Sequence, residues 1–195
     1  MTFHKTLSAL LVLLASFLLV GPTLAQHKKK KKSSAKPASA APASTPDYSA
    51  AYVKPKAAPG APLAEFNLLT AEQKLVLSRD LPADKPITLV LFNPGCGHCA
   101  DVASSIKKNA ERFAGIQFVF ITAMNQLELL KGFSDGTGLS TLSNALVGGD
   151  NSDLTSEIFE YKGIPQIMIY NKDHFLQKTF YKDLNLDSLA YYSQQ

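Results

Sequence analysis

An α/β fold is what this sequence predicts from residue 63 onward, and three neighbouring stretches predict it. "PITLVLF", Pro86–Phe92, is an almost unbroken run of apolar, largely branched residues, the pattern of a strand buried on both faces. "CADVASSIKKNAERF", Cys99–Phe113, spaces Val102, Ile106, Ala110 and Phe113 along one helical face, and Gly115 is expected to close that helix. "IQFVFIT", Ile116–Thr122, is a second buried strand. Strand, helix and strand at this length make a parallel crossover unit.

The other elements follow in order. Ahead of the unit, "EFNLLT", Glu65–Thr70, and "KLVLS", Lys74–Ser78, read as a short hairpin turning at Ala71-Glu72-Gln73. Behind it, "NQLELLKGF", Asn125–Phe133, has helical character, whereas "SDGTGLSTLSNALVGGDNS", Ser134–Ser152, is punctuated by glycines and predicts breaks. "SDLTSEIFEYKG", Ser152–Gly163, reads as a helix with Ser152 as its cap and Gly163 past its end. "PQIMIYN" and "HFLQKTFY" form a hairpin across Asn171-Lys172-Asp173, and "NLDSLAYY", Asn185–Tyr192, supplies a last helix. There is no internal repeat.

Charge divides the chain more sharply than its formal +4 suggests. Residues 1–62 hold nine lysines and one aspartate, while residues 63–195 hold eleven Lys+Arg against fifteen Asp+Glu. The basic excess therefore belongs to the tail, which excludes a nucleic-acid reading that needs a basic face on the folded part. Residues 1–25 begin with Lys5, continue as an apolar run from Leu7 to Val20, and end in Thr23-Leu24-Ala25 after a Gly-Pro break. This is the layout of a secretory signal peptide cleaved after Ala25, and the run is short beside the roughly 20 residues of a membrane span. Export to the periplasm or beyond is expected. The alternative is an uncleaved membrane anchor, for which Lys28–Lys32 would favour a cytosolic domain. Residues 26–62, rich in Lys, Ala, Pro and Ser with six prolines, read as a disordered, semi-extended linker. Their lysine block offers at most a weak contact with an anionic membrane surface.

Both cysteines of the chain lie in "NPGCGHCADV", Asn93–Val102, as Cys96 and Cys99. A staple, half of a metal site and a redox centre are the three readings. About 130 residues bury an adequate core without a staple. Zinc wants four ligands from separated pairs, and His174 lies far off in a hairpin turn, so no metal is expected. A passive disulfide in a binding module stays open as the non-enzymatic reading.

The strand Ile87–Phe92 running into Cys96-Gly97-His98-Cys99 at a helix start, with Gly163-Ile164-Pro165 before a later strand, resembles the thioredoxin superfamily. The likeness spans Leu63 to Tyr192, and the hairpin ahead of the first core strand looks most like the exported bacterial thioredoxin-like proteins. The resemblance implies a central mixed sheet flanked by helices with an N-terminal β-hairpin extension. It implies a thiol–disulfide oxidoreductase in which Cys96, at the mouth of the helix, attacks and Cys99, one turn further in, resolves. Unpaired amides at a helix N-terminus stabilise a thiolate over a thiol, which is why the chemistry needs that placement.

The Cys-Gly-His-Cys quartet is similar to that of protein disulfide isomerase. His98 is then implied to tune the potential, which runs from about −270 mV in thioredoxin to about −180 mV in the isomerase. Gly95, Gly97, Ile164 and Pro165 are implied to contact substrate, with Pro165 cis and the adjoining main chain pairing with an extended partner segment. The implied partners are protein thiols and disulfides, with a membrane electron donor or acceptor behind them. No dissociable cofactor is implied, because the cysteine pair carries the two electrons, and a monomer is expected. Two departures stand out: Gly95 replaces the tryptophan usual before the first cysteine, and Val90 occupies the position of a buried acid that assists the resolving thiol. A peroxidase reading fails because Asn93-Pro94-Gly95 lacks the peroxide-binding threonine.

Overall fold

The computed structural model describes residues 58–195 except Asp153 and Glu160. The expected leader and most of the expected linker lie outside the described residues. Seven strands form one mixed sheet: β1 (Asn67–Thr70), β2 (Leu75–Leu77), β3 (Ile87–Leu91), β4 (Gln117–Ala123), β5 (Ala145–Asp150), β6 (Gln166–Tyr170) and β7 (Leu176–Tyr181). Their spatial order is β2-β1-β5-β4-β3-β6-β7. The three central strands β5, β4 and β3 are parallel, and antiparallel pairs flank them on both sides. Among the described residues four α-helices accompany the sheet: α1 (Gly97–Lys108), α2 (Leu130–Thr137), α3 (Leu154–Ile158) and α4 (Leu186–Ser193).

Strand alternation divides the apolar residues into two cores. Val90 and Phe92, Phe118 and Phe120, and Ile167 and Ile169 face α1, α2 and α4, where they meet Cys99, Ala103, Ile106, Phe133 and Leu189. Ile87, Leu89 and Leu91 with Val119, Ile121, Met168 and Tyr170 face the other way, under Phe66, Leu81, Ile158 and Phe159. Every residue of β3 is buried, as its apolar run predicts. The crossover β3-α1-β4, both hairpins and the last helix stand where the sequence places them.

Three expectations are corrected. The first helix ends at Lys108, five residues short of Phe113, because Asn109 leaves the helical conformation and its side-chain amide donates to the Ser105 carbonyl at 2.8 Å. The segment expected to break at its glycines contains β5, whose Gly148-Gly149 pair sits inside the strand. A Cβ on Gly148 would lie 3.0 Å from Leu68 Cβ and 3.1 Å from the Leu69 carbonyl oxygen, so glycine is needed there for close strand approach rather than for a turn. The helix expected over Ser152–Gly163 is only Leu154–Ile158. Buried Asp150 accepts from Ser152 N, Ser152 Oγ, Thr155 N and Thr155 Oγ1, so the residue expected to cap the helix is itself a donor to Asp150. Chain just ahead of Leu63 is bonded to the strand β7 and its turn. Gly60 N donates to the Leu176 carbonyl at 2.6 Å, Leu176 N to that of Ala61 at 2.8 Å, and Leu63 N to that of His174 at 2.8 Å.

Candidate functional site

β3 delivers the cysteine pair. Beyond Leu91 the chain makes a tight turn in which Cys96 N donates to the Asn93 carbonyl at 3.0 Å and Gly95 N to Asn93 Oδ1 at 2.8 Å. Cys96 is the N-cap of α1, with extended φ and ψ of −91° and 119°, and its carbonyl accepts from Cys99 N and Ala100 N, each at 3.1 Å. Among the described residues, the amides of Gly97 and His98 donate to nothing, so the open pole of a twelve-residue helix surrounds Cys96. α1 carries no acidic residue in its first turn to offset that pole and two lysines in its last.

The two thiols sit in different surroundings. Cys96 is partly exposed, whereas Cys99 is 0% exposed and packs with Val90, Phe92, Val102 and Phe133. Burial, reinforced by its hydrogen bond with the Cys96 sulfur, pushes the Cys99 thiol up from an ordinary 9.0 to about 12; main-chain groups of Asn93 and of Cys99 itself act in the opposite direction. Among the described residues the one buried carboxylate is Asp150, at the end of β5, and no histidine is buried. Cys99 is therefore a protonated thiol next to a second, reachable sulfur.

Antiparallel pairing sets the second half of the site. Leu91 stands opposite Gln166, so the Ile164–Pro165 step falls beside the turn that leads to Cys96. The Ile164–Pro165 peptide bond is cis, and Gly163 ahead of it has φ of 150°. Pro165 is buried, and its carbonyl accepts from Lys182 N at 2.8 Å. Ile164 is 36% exposed, and among the described residues nothing bonds its main chain. The structure thus gathers Gly95, Cys96, Gly97, Cys99, Ile164 and Pro165 at one end of the sheet.

His98 is exposed and turns toward another flank. It lines a pocket of about 140 Å³ with Asp101, Val102, Ser105, Asp183 and Leu184, so two carboxylates share its surroundings. On a separate flank of α1 runs a groove of about 490 Å³ lined by Pro94, Gly95, Ala100, Ser104, Leu129, Gly132, Phe133, Gly136 and Thr137. The sequence reading misses this groove. Its visible signal is Gly132 and Gly136 one turn apart in a helical stretch, which looks like chain-breaking until α2 is known to be continuous. Among the described residues there is no cluster of three or more His, Cys, Asp or Glu able to hold a metal ion.

No family model matches the sequence, and no curated protein does. Solved structures do match. The chain is similar to a secreted disulfide oxidoreductase of Mycobacterium tuberculosis homologous to Escherichia coli DsbE, with 18% identity and a TM-score of 0.54 over 66% of this chain and 93% of that one. It is similar also to the thioredoxin domain of a thiol–disulfide oxidoreductase from Bacteroides vulgatus, with 16% identity and a TM-score of 0.56 over 69% and 94%. At such identities the likeness is one of fold.

Proposed function

On a thioredoxin-like fold, with a sulfur at each end of the first turn of α1, we propose that this chain is a thiol–disulfide oxidoreductase acting on protein partners. The observation that carries the reading is the asymmetry of the pair: Cys96 reachable at an open helix pole, Cys99 sealed beneath it and hydrogen-bonded to it. A passive staple has no use for that arrangement.

The chemistry runs in two exchanges. The Cys96 thiolate attacks one sulfur of a partner disulfide, the partner's S–S bond breaks, and its other sulfur leaves as a thiolate. Cys96 is then bonded to the partner. Cys99 gives up its proton, attacks Cys96 Sγ, and expels the partner's second sulfur, leaving a Cys96–Cys99 disulfide and a partner reduced by two electrons. Among the described residues no histidine is buried and the one buried carboxylate is Asp150 at the end of β5, so the Cys99 proton goes to water or to the departing thiolate. The reverse sequence oxidises a partner, and the potential of the pair against its pool decides the direction.

Other residues serve these steps. The free main chain of Ile164 holds the partner segment in an extended pose, and Pro165 fixes that edge beside Cys96. Gly95 and Gly97 leave the approach to the sulfur open, since a Cβ on Gly97 meets nothing within 4 Å. His98 adjusts the potential from the helix mouth, with Asp101 and Asp183 in the same pocket. Export supplies the setting: the leader-like residues 1–25, the Lys/Ala/Pro-rich linker and a fold shared with a secreted oxidoreductase agree on envelope or secreted partners. Among the described residues no helix is long and apolar enough to cross a membrane.

The test is insulin reduction by dithiothreitol. The full chain is expected to accelerate it, and Cys96→Ser to return it to the uncatalysed rate. Equal rates for the two would assign the pair to a passive disulfide.

A further inference from the structure

The segment leading into α1 departs twice from the pattern the resemblance implies, with Gly95 in place of a tryptophan and Val90 in place of a buried acid. One residue between them, Asn93, bears on both. Its carbonyl accepts from Cys96 N at 3.0 Å, and its Oδ1 accepts from Gly95 N at 2.8 Å. Its main-chain N–H donates to the Cys99 sulfur and acts against the burial that holds that thiol protonated. Three polar groups of one residue thus engage Gly95 and both cysteines.

Asn93-Pro94-Gly95-Cys96 is a β-turn closed by the bond from Cys96 N. Pro94 presets the backbone at its second position, and asparagine is favoured at the first because its side chain accepts from the amide two residues on. Gly95 has no positive φ, so the turn itself does not call for glycine. A Cβ there would instead lie 3.3 Å from Asn93 Oδ1, tighter than an ordinary contact. Glycine at 95 and asparagine at 93 therefore belong to one arrangement.

The resolving step needs what that arrangement offers. Cys99 must give up its proton and attack Cys96 Sγ from a position that is 0% exposed. A thiolate forming there has little water around it and gains from a hydrogen-bond donor already in place. Asn93 N–H is such a donor.

We propose that Asn93 is a positioning residue for the resolving step: by holding Gly95 N, its side chain fixes the turn so that its own N–H stabilises the Cys99 sulfur as it attacks. This role deepens the oxidoreductase reading and rests on it. Asn93 N–H lends a hydrogen bond and keeps its proton. The Cys99 proton goes to water or to the departing thiolate, the Cys96–Cys99 bond forms, and the partner's sulfur leaves with the electron pair of the bond that breaks. A hydrogen bond to a charged group corresponds to about tenfold or more in rate.

The test mixes the reduced full chain with the neutral disulfide 2,2′-dithiodipyridine and follows the pyridinethione released. A first phase that quickens with reagent concentration is Cys96 attacking. A second, independent of concentration, is Cys99 closing the disulfide. Asn93→Ala removes the acceptor, and is expected to slow the second phase about tenfold and to change the first by less than about twofold. Asn93→Asp keeps the acceptor but sets a negative charge beside the Cys96 thiolate. It is expected to hold the second phase within about threefold of wild type and to slow the first by about that factor or more.

A second phase unchanged in Asn93→Ala would overturn the positioning role while leaving the redox reading intact. Equal slowing of both phases would do the same, since a loop that is merely distorted affects both. Should Asn93→Ala not fold, Asn93→Asp decides alone: a first phase slowed more than the second supports the role, and the opposite order overturns it. A wild type that releases pyridinethione in one phase only, or not at all, would defeat the assignment of Cys96 and Cys99 and this role with it.

Discussion

Cys99 is the residue whose surroundings are most unusual. Its thiol, pushed up to about 12 mainly by burial, stays protonated in the folded dithiol form where an unfolded chain would ionise near 9. Between those values the unfolded chain binds fewer protons than the folded one, so stability falls as pH rises. It is fully present below about pH 9 and is lost progressively toward pH 12. In urea unfolding of the reduced full chain, the loss attributable to this thiol is expected to be about 1 kcal/mol per pH unit in that window. Cys99→Ala removes the proton, and so should show a shallower decline by that amount; identical slopes would mean that the thiol is not held neutral by the fold. The same sealed position that keeps Cys99 protonated keeps outside oxidants from it, while Cys96 remains within reach.

At the scale of elements, the glycines do opposite things in places the sequence makes look alike. In β5, Gly148 lets β1 approach, and an alanine Cβ there would press on Leu68 and on the Leu69 carbonyl. Gly148→Ala is expected to cost about 1–3 kcal/mol, read as a lower urea midpoint of the full chain. In α2, Gly132 has open space around it, so Gly132→Ala should raise the midpoint through helix propensity, by about 0.5–1 kcal/mol.

That contrast explains how much of the fold was legible. β3, α1, β4 and the β6–β7 hairpin carry strong periodicity or continuous apolar runs, and their pairing follows from topology rules. β5 carries two glycines pressed by residues distant in sequence, Gly148 by β1 some eighty residues earlier and Gly149 by Met124, and no local pattern encodes either contact. The start of α3 is similar: Ser152 and Asp150 are equally good acceptors by residue type, and it is buried Asp150 at the end of β5 that reaches four donors at once.

For the molecule as a whole, the sheet acts as a fixed frame that brings two distant segments to one end. β3 carries Cys96 and Cys99, and β6, more than sixty residues later, carries Ile164 and Pro165 to the same place by its register. The residues of the proposed site stand out in the sequence because a Cys-x-x-C at a helix start and an Ile-Pro before a strand are local signs. The α1–α2 groove was not, since it exists only once α2 packs beside α1 and leaves Gly132 and Gly136 facing open space. Val90, at the position where the resemblance implies a buried acid, lies in the same core as Cys99.

The central claim is a division of labour, with Cys96 attacking and Cys99 resolving. Its most direct test is to incubate the full chain bearing Cys99→Ser with insulin and separate the products without reductant. The account predicts a stable adduct joined through Cys96 that dithiothreitol dissolves and that the wild type does not accumulate. No adduct, while Cys96 can still be alkylated, would contradict it.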